Sequence, residues 1–407
     1  MDFPTFITHI NDSLAHENGI GLAYLLRPTS PHGRELVKQY RNLSRPALRR
    51  YEGCIASPWD EIAILYVLIC GHIHKRRSPE AFRDQVLLVN NFLRYFVENQ
   101  GWTLQALFAI LRDLRDLAID ADIQARAEGG KADHMEEAAR VIMKAFTHCV
   151  TDRSSPPDRS RKWGVYYVAG LVFKCYFRLK RISLTKNILR ALEVNQDIPS
   201  LDAYPRAHRV TFRYYLGMLN FLNEEYAKAE EQLTLAFYNC YTGHHANQER
   251  ILAYLIPLRV LKGHLPSKGL LARFPILEAL YTPFVESIRK GDIATFDSAL
   301  EANEQRLLAL NLFLTVERSR ELCMRSLFRK AWVAADRTTR MPISMFHAAL
   351  RISGSDVPVE EAECFVANMI YKGFMKGYIS HGMQMVVLSK ANAFPRLVER
   401  PSPFSVL

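Results

Sequence analysis

The segment that most constrains this chain is Pro358–Lys390, PVEEAECFVANMIYKGFMKGYISHGMQMVVLSK. Apolar residues recur at helical spacing through its first half. Gly373 and Gly377 then punctuate a basic turn, and two short alternating runs follow with His381–Gly382 between them. A period near 3.6 that changes to a period of two across glycines predicts a helix closed by a β-hairpin.

Helices ending in such a hairpin make a winged helix, an element that binds nucleic acid or a second winged helix and does little chemistry. Upstream of it the pattern is helical almost throughout, and no hairpin signal precedes Gly377. The expected helices are Pro58–Ile73, Pro79–Asn99, Leu104–Asp120, Glu136–Val150, Trp163–Leu179, Leu184–Glu193, Ala207–Leu222 and Tyr226–Tyr241. Arg250–Lys262, Ile276–Lys290, Ile293–Asn311, Thr315–Ala335, Pro342–Ile352 and Val359–Lys372 follow. The first of these is apolar on most sides, with Ser57 as its N-cap and Pro58 at its first helical position. Pro257 and Pro283 fall inside expected helices and should kink or break them.

Two stretches break the pattern. Glu128–Asp133, EGGKAD, reads as an exposed loop, and Thr151–Arg161, TDRSSPPDRSR, reads as a solvated loop between helices. From Lys162 the helices come in pairs. Leu216–Gly217, Ala229 and Ala236 stand at the offsets of a tetratricopeptide-like repeat, where small residues let two antiparallel helices approach. Arg213 and Asn220 occupy places where that repeat prefers large aromatics. Several such pairs in series imply a repeat stack. The fold expected is mainly α: a helical repeat region over 1–150, a second over 151–314, and a winged helix with a tail over 315–407.

Catalytic motifs are absent: no phosphate loop, dinucleotide fingerprint, nucleophile elbow or HExxH. Gly129–Gly130–Lys131 lacks the first glycine and the hydroxyl of a phosphate loop. His72, His74 and Asp84 mimic a zinc set, but ring positions two apart on a helix diverge too far to share one tetrahedral ion. Cys240, His244 and His245 lack a fourth ligand. No enzyme activity, metal, cofactor or small-molecule substrate is expected.

Charge is more informative. The 407 residues carry a net charge of +11, which favours an acidic partner. Arg34, Lys38, Arg41, Arg45, Arg49 and Arg50 crowd one early segment. Arg153, Arg159, Arg161 and Lys162 flank the Pro156–Pro157 loop, and Lys174, Arg178, Lys180 and Arg181 follow. In the terminal region Arg329, Lys330, Arg337, Arg340, Lys372, Lys376 and Lys390 are the candidates to face phosphates, through salt-dependent contacts that read little sequence. Winged helices present such residues on the helix before the wing and on the wing itself. Seven dispersed cysteines argue against a disulfide framework and for a reducing compartment. The N-terminal MDFPTFITHINDS has neither the basic nor the apolar part of a secretory leader. No membrane-spanning segment is expected.

Helical repeats that run into a terminal winged helix describe the PCI domain of the proteasome lid, the COP9 signalosome and translation initiation assemblies. Phe212–Cys240, Arg250–Pro266 and Phe365–Lys390 followed by Asn392–Pro395 resemble the signatures of one branch. That branch holds the signalosome subunit-12-like proteins and the PCI subunit of the TREX-2 mRNA-export complex. Leu25–Pro28, Ala145–Arg153 and Gly164–Leu179 are similar to the subunit-12-like proteins in particular. The resemblance implies a non-catalytic scaffold that pairs with a second PCI protein and with a small acidic disordered subunit shared with the proteasome lid. It further implies a surface for RNA or DNA, in transcription-coupled mRNA processing or export, in the nucleus, with the cytoplasm as a second compartment. Tyr378, Ile379, Met385 and Val387 of the hairpin are then the expected partner interface. The alternative is a structural subunit of the signalosome or a lid-like complex that binds no nucleic acid.

Overall fold

The computed structural model describes residues 1–40, 44–399 and 403–404. Arg41 lies outside these residues, and so does the side chain of Arg49. Two compact units are present, Met1–Tyr215 and Leu216–Leu407.

The first unit is helical. Its longest elements are Trp59–His74, Ser78–Glu98, Leu104–Ala127, His134–Val150 and Val165–Arg178. The Trp59–His74 helix buries every residue from Ile62 to Gly71, as its all-round apolar pattern implies. Ser57 does not cap it. The helix begins at Trp59, whose N–H is taken by the Ala56 carbonyl at 3.0 Å, and Pro58 holds the N-cap position. Asp84 on the next helix lies 3.4 Å from His72 Nε2, so the two residues of the zinc-like pattern face one another as a pair.

The Thr151–Arg161 segment is not simply solvated. Asp152 is 2% exposed and accepts hydrogen bonds from Ser160 Oγ (2.9 Å), the Arg161 backbone N–H (2.8 Å) and Arg161 Nη2 (3.0 Å). Arg161 Nη1 donates in turn to the Phe96 carbonyl at 3.1 Å. Burial works to raise the Asp152 pKa. The bonds from Arg161, Ser160 and Ser155 outweigh it and hold the carboxyl well below the usual carboxylate range.

In the second unit, Tyr226–Asn239 packs on the end of the Arg206–Leu222 helix through small residues, as the repeat-like offsets suggested. Ala229 and Ala236 are fully buried, and a Cβ on Gly217 would stand 2.7 Å from Leu233 Cγ. Neither inner proline ends its helix: His245–Leu261 runs through Pro257 and Pro275–Lys290 through Pro283. Pro257 leaves the Ala253 carbonyl without its helical partner, and the Tyr281 hydroxyl donates to that carbonyl at 2.5 Å. Two expected helices are instead divided, into Ile293–Ala302 with Glu304–Ala309 and into Phe313–Arg318 with Arg320–Ala334. At each break a polar side chain donates back to the preceding turn, Asn303 to the Ala299 carbonyl (2.9 Å) and Ser319 to the Val316 carbonyl (2.6 Å).

The chain closes as expected with a winged helix, but with one more strand. Its order is Arg320–Ala334, β1 (Arg340–Pro342), Ile343–Ile352, Val359–Tyr371, β2 (Gly377–Ser380) and β3 (Met385–Leu388). The sheet is antiparallel in the order β1-β3-β2. At three residues ending in proline, β1 is too short to show alternation. A Cβ on Gly377 would meet the Val387 carbonyl oxygen at 2.2 Å, so the β2–β3 approach requires glycine there. Phe328, Met341, Ile343, Phe346, Leu350, Val366 and Val386 of this winged helix are fully buried. Each contributes about 1.5–3 kcal/mol by its burial.

Candidate interaction surface of the winged helix

Register decides which hairpin residues share a face. Arg340, Val387 and Tyr378 lie opposite one another across the three strands, and so do Met341, Val386 and Ile379. Met341 and Val386 are fully buried, so their row faces the core. The row of Arg340, Val387 and Tyr378 faces outward, followed by Pro342, Met385 and Ser380. Three of the four expected interface residues, Tyr378, Met385 and Val387, are therefore brought together. Ile379 stands on the opposite, core-facing row. Tyr378 is 63% exposed, and Met383 at the tip between β2 and β3 is 76% exposed.

A family model for the PCI domain matches residues 300–390, from the helix before the first break to the end of the hairpin. A Schizosaccharomyces pombe protein named Protein CSN12 homolog is 37% identical, over 97% of this chain and 97% of its own length. This chain belongs to the PCI-domain family, among the CSN12 homologues. A Neurospora crassa Protein CSN12 homolog is 38% identical over 83% of this chain and 84% of its own. PCI domain-containing protein 2 of Xenopus laevis is 30% identical over 96% and 97%.

The cations of this PCI-domain protein divide into engaged and free. Lys372 is ion-paired with Glu321, and both are only about a third exposed. Lys330 donates to the Lys290 carbonyl at 2.8 Å while staying exposed. Arg329, Arg337, Arg340, Lys376 and Lys390 are exposed, with no side-chain ion pair among the described residues. The turn that carries Arg337 is held by Trp332, whose Nε1 donates to the Thr338 carbonyl at 3.0 Å. Lys376 lies opposite Ser389, the residue before Lys390, because the Ser389 N–H donates to the Lys376 carbonyl at 2.9 Å.

The helix before the wing departs from expectation. Val359–Tyr371 contains no Lys or Arg and opens with Glu360 and Glu361. The wing tip, His381–Gln384, adds no permanent cation. His381 Nδ1 lies 2.8 Å from Glu363 Oε1, and Gln384 Nε2 donates to Glu363 Oε2 at 3.4 Å. The free cations gather instead at the end of the Arg320–Ala334 helix, in the turn into β1, and beside the base of the hairpin.

Some of the upstream basic residues are consumed within the fold, while Arg34, Lys38, Arg153, Arg178 and Lys180 are exposed with no ion pair among the described residues. Arg161 and Lys162 are paired with Asp152 and Asp197, Arg181 with Glu136 at 2.7 Å, and Arg45 with Glu61. An expectation drawn from Lys and Arg counts had no access to these partners, which lie from nine to 45 residues away in the sequence. Among the described residues no group of three or more His, Cys, Asp or Glu is placed to hold a metal ion.

Proposed function

We propose that this protein is a non-catalytic scaffold subunit of a signalosome-type or mRNA-export assembly. Its winged-helix sheet pairs with a second PCI protein through Tyr378, Val387 and Met385. A small acidic subunit and a nuclear setting belong to the same reading, and the +11 net charge suits the acidic partner. The observation that carries the proposal is the near full-length likeness to CSN12 homologues, together with an outward sheet row in which the exposed Tyr378 stands beside Val387.

RNA or DNA is held, on this reading, by Arg329, Arg337, Arg340, Lys376 and Lys390 through phosphate contacts, without base readout. Lys372 supports it least, since Glu321 already neutralises it. The test is binding of single-stranded RNA by the purified chain with its PCI partner, across a salt series. Affinity that falls steeply with salt supports the proposal, and no binding at low salt ends its nucleic-acid part.

A second reading, a structural subunit that binds no nucleic acid, is favoured by the acidic helix before the wing. Charge reversal of Arg337 and Arg340 separates the two. Loss of RNA binding with an intact complex supports the first, and loss of the complex supports the second.

A further inference from the structure

The chain continues past β3 and doubles back over the second unit, and its burial changes abruptly on the way. Ala393, Phe394 and Pro395 are buried. Beyond them Arg396, Val398 and Glu399 are exposed, and Leu397 is half-buried. The buried part is fastened inside the winged helix. The Lys376 N–H donates to the Ala393 carbonyl at 2.9 Å, and Arg325 Nη2 donates to the Pro395 carbonyl at 2.8 Å. The Phe394 ring centre lies 5.4 Å from that of Trp332, on the same Arg320–Ala334 helix as Arg325.

The half-buried part reaches an earlier pair of helices. Gly263 closes the His245–Leu261 helix: its N–H donates to the Val260 carbonyl at 2.7 Å, and the His264 N–H donates to the Arg259 carbonyl at 2.9 Å. Its φ is +89°, and a Cβ there would stand 2.4 Å from Leu397 Cδ1. Glycine is therefore needed twice, for the left-handed turn and for the seat of the leucine. Further on, the Phe404 ring centre lies 5.8 Å from that of Tyr226, the first residue of Tyr226–Asn239. Tyr226 is buried, with Arg318 also 5.8 Å from its ring centre.

We propose that this tail is a two-part latch. Ala393–Pro395 is a permanent anchor in the winged helix. Leu397 and Phe404 form a releasable clasp that fastens the helix pair Tyr226–Asn239 and His245–Leu261 to it. The clasp rests on side chains beside solvent, so it opens at a smaller cost than a buried core and without global unfolding. It also closes readily, because the anchor keeps Leu397 tethered close to its seat on Gly263. When the clasp opens, the winged helix stays joined to a later helix pair. Arg320 binds Asp297 through bonds of 2.7 and 2.8 Å, and the Ile293 N–H donates to Ser353 Oγ at 2.7 Å. The closed latch thus holds the earlier helix pair and the winged-helix sheet in one geometry, and the open latch frees the first from the second. The inference is independent of the partner and nucleic-acid readings, which use other residues.

The experiment is amide hydrogen exchange on the full chain. Leu397→Ala combined with Phe404→Ala should speed exchange of the Gly263 and His264 amides at least about tenfold. The Lys376 amide, bonded to the anchor, should keep its native rate within about twofold in the same variant. So should the Leu388 amide, which donates to the Thr339 carbonyl at 2.7 Å within the winged helix. Phe394→Ala, which loosens the anchor, should speed exchange at Lys376 as well as at Gly263 and His264. Native rates at Gly263 and His264 in the double variant would overturn the proposal, since the clasp would then hold nothing. An equal rise at Lys376 in the double variant would overturn the division into anchor and clasp. Loss of protection throughout the second unit would overturn it too, by making Leu397 and Phe404 part of the core.

Discussion

Two short segments look alike in the sequence and differ in the fold. One carries Arg153, Arg159, Arg161 and Lys162, the other Arg329, Lys330, Arg337 and Arg340. In the first, the Arg161 and Lys162 side chains are 6% and 9% exposed and paired with Asp152 and Asp197. In the second, all four cations remain exposed. Cation density alone does not mark a binding surface. What matters is whether the fold delivers a carboxylate and an apolar cover to the same place. Asp152 does so nine residues before Arg161, with carbonyls from the end of the Ser78–Glu98 helix completing the site.

The largest expected effect breaks the first segment. Arg161→Ala leaves Asp152 buried without its charge partner and should lower unfolding free energy by about 3–5 kcal/mol, read by urea denaturation. RNA affinity of the folded protein should not change. A stability loss under about 1 kcal/mol would mean that the two segments are not different in kind.

Acid sharpens the same contrast. The Asp152 carboxyl is held below its ordinary value of 3.8, so it stays ionised in the folded protein when the unfolded chain has begun to take up a proton. Its contribution is fully present above that value and is lost as pH falls through the lower folded-state value. Melting temperatures of the native protein and Asp152→Asn should differ by a constant amount near neutral pH and converge as pH drops below about 4. A gap that is unchanged in acid would place the stabilisation elsewhere.

The second segment should behave oppositely. Arg337→Glu with Arg340→Glu should leave stability within about 0.5 kcal/mol. It should weaken single-stranded RNA binding about tenfold and flatten the salt dependence by about 1.4 in log–log slope, for two lost phosphate contacts. Anisotropy titrations at several salt concentrations measure both. Unchanged RNA binding would remove these two arginines from the nucleic-acid surface.

What the sequence revealed follows the same division between local and distant information. The Trp59–His74 helix, the paired helices around Gly217 and the terminal hairpin were legible because periodicity and small-residue spacing are local. The strand β1 was not, since its pairing with β3 spans more than forty residues and three residues carry no period. Helix continuity through Pro257 depended on the Tyr281 hydroxyl reaching Ala253 from another helix. Tyr378, Met385 and Val387 could be grouped by alternation alone. The same alternation sets Ile379 on the other face, and register with the buried Met341 and Val386 settles it.

Lys372 tests the comparison most finely, because it lies in the terminal region and yet has a carboxylate partner. Its ion pair with Glu321 is about a third exposed, so solvent screens it and its contribution to stability is about 0.5 kcal/mol. Lys372→Ala should therefore cost little stability and leave RNA affinity unchanged, because the charge it removes is already neutralised. Lys376→Ala should cost no stability and reduce RNA affinity about twofold, because Lys376 is exposed and unpaired among the described residues. The two lysines are four residues apart, so a paired titration under identical salt isolates the effect of the partner from that of position. Equal losses of RNA affinity would show that the Glu321 pair opens when phosphate arrives, and Lys372 would then join the free cations.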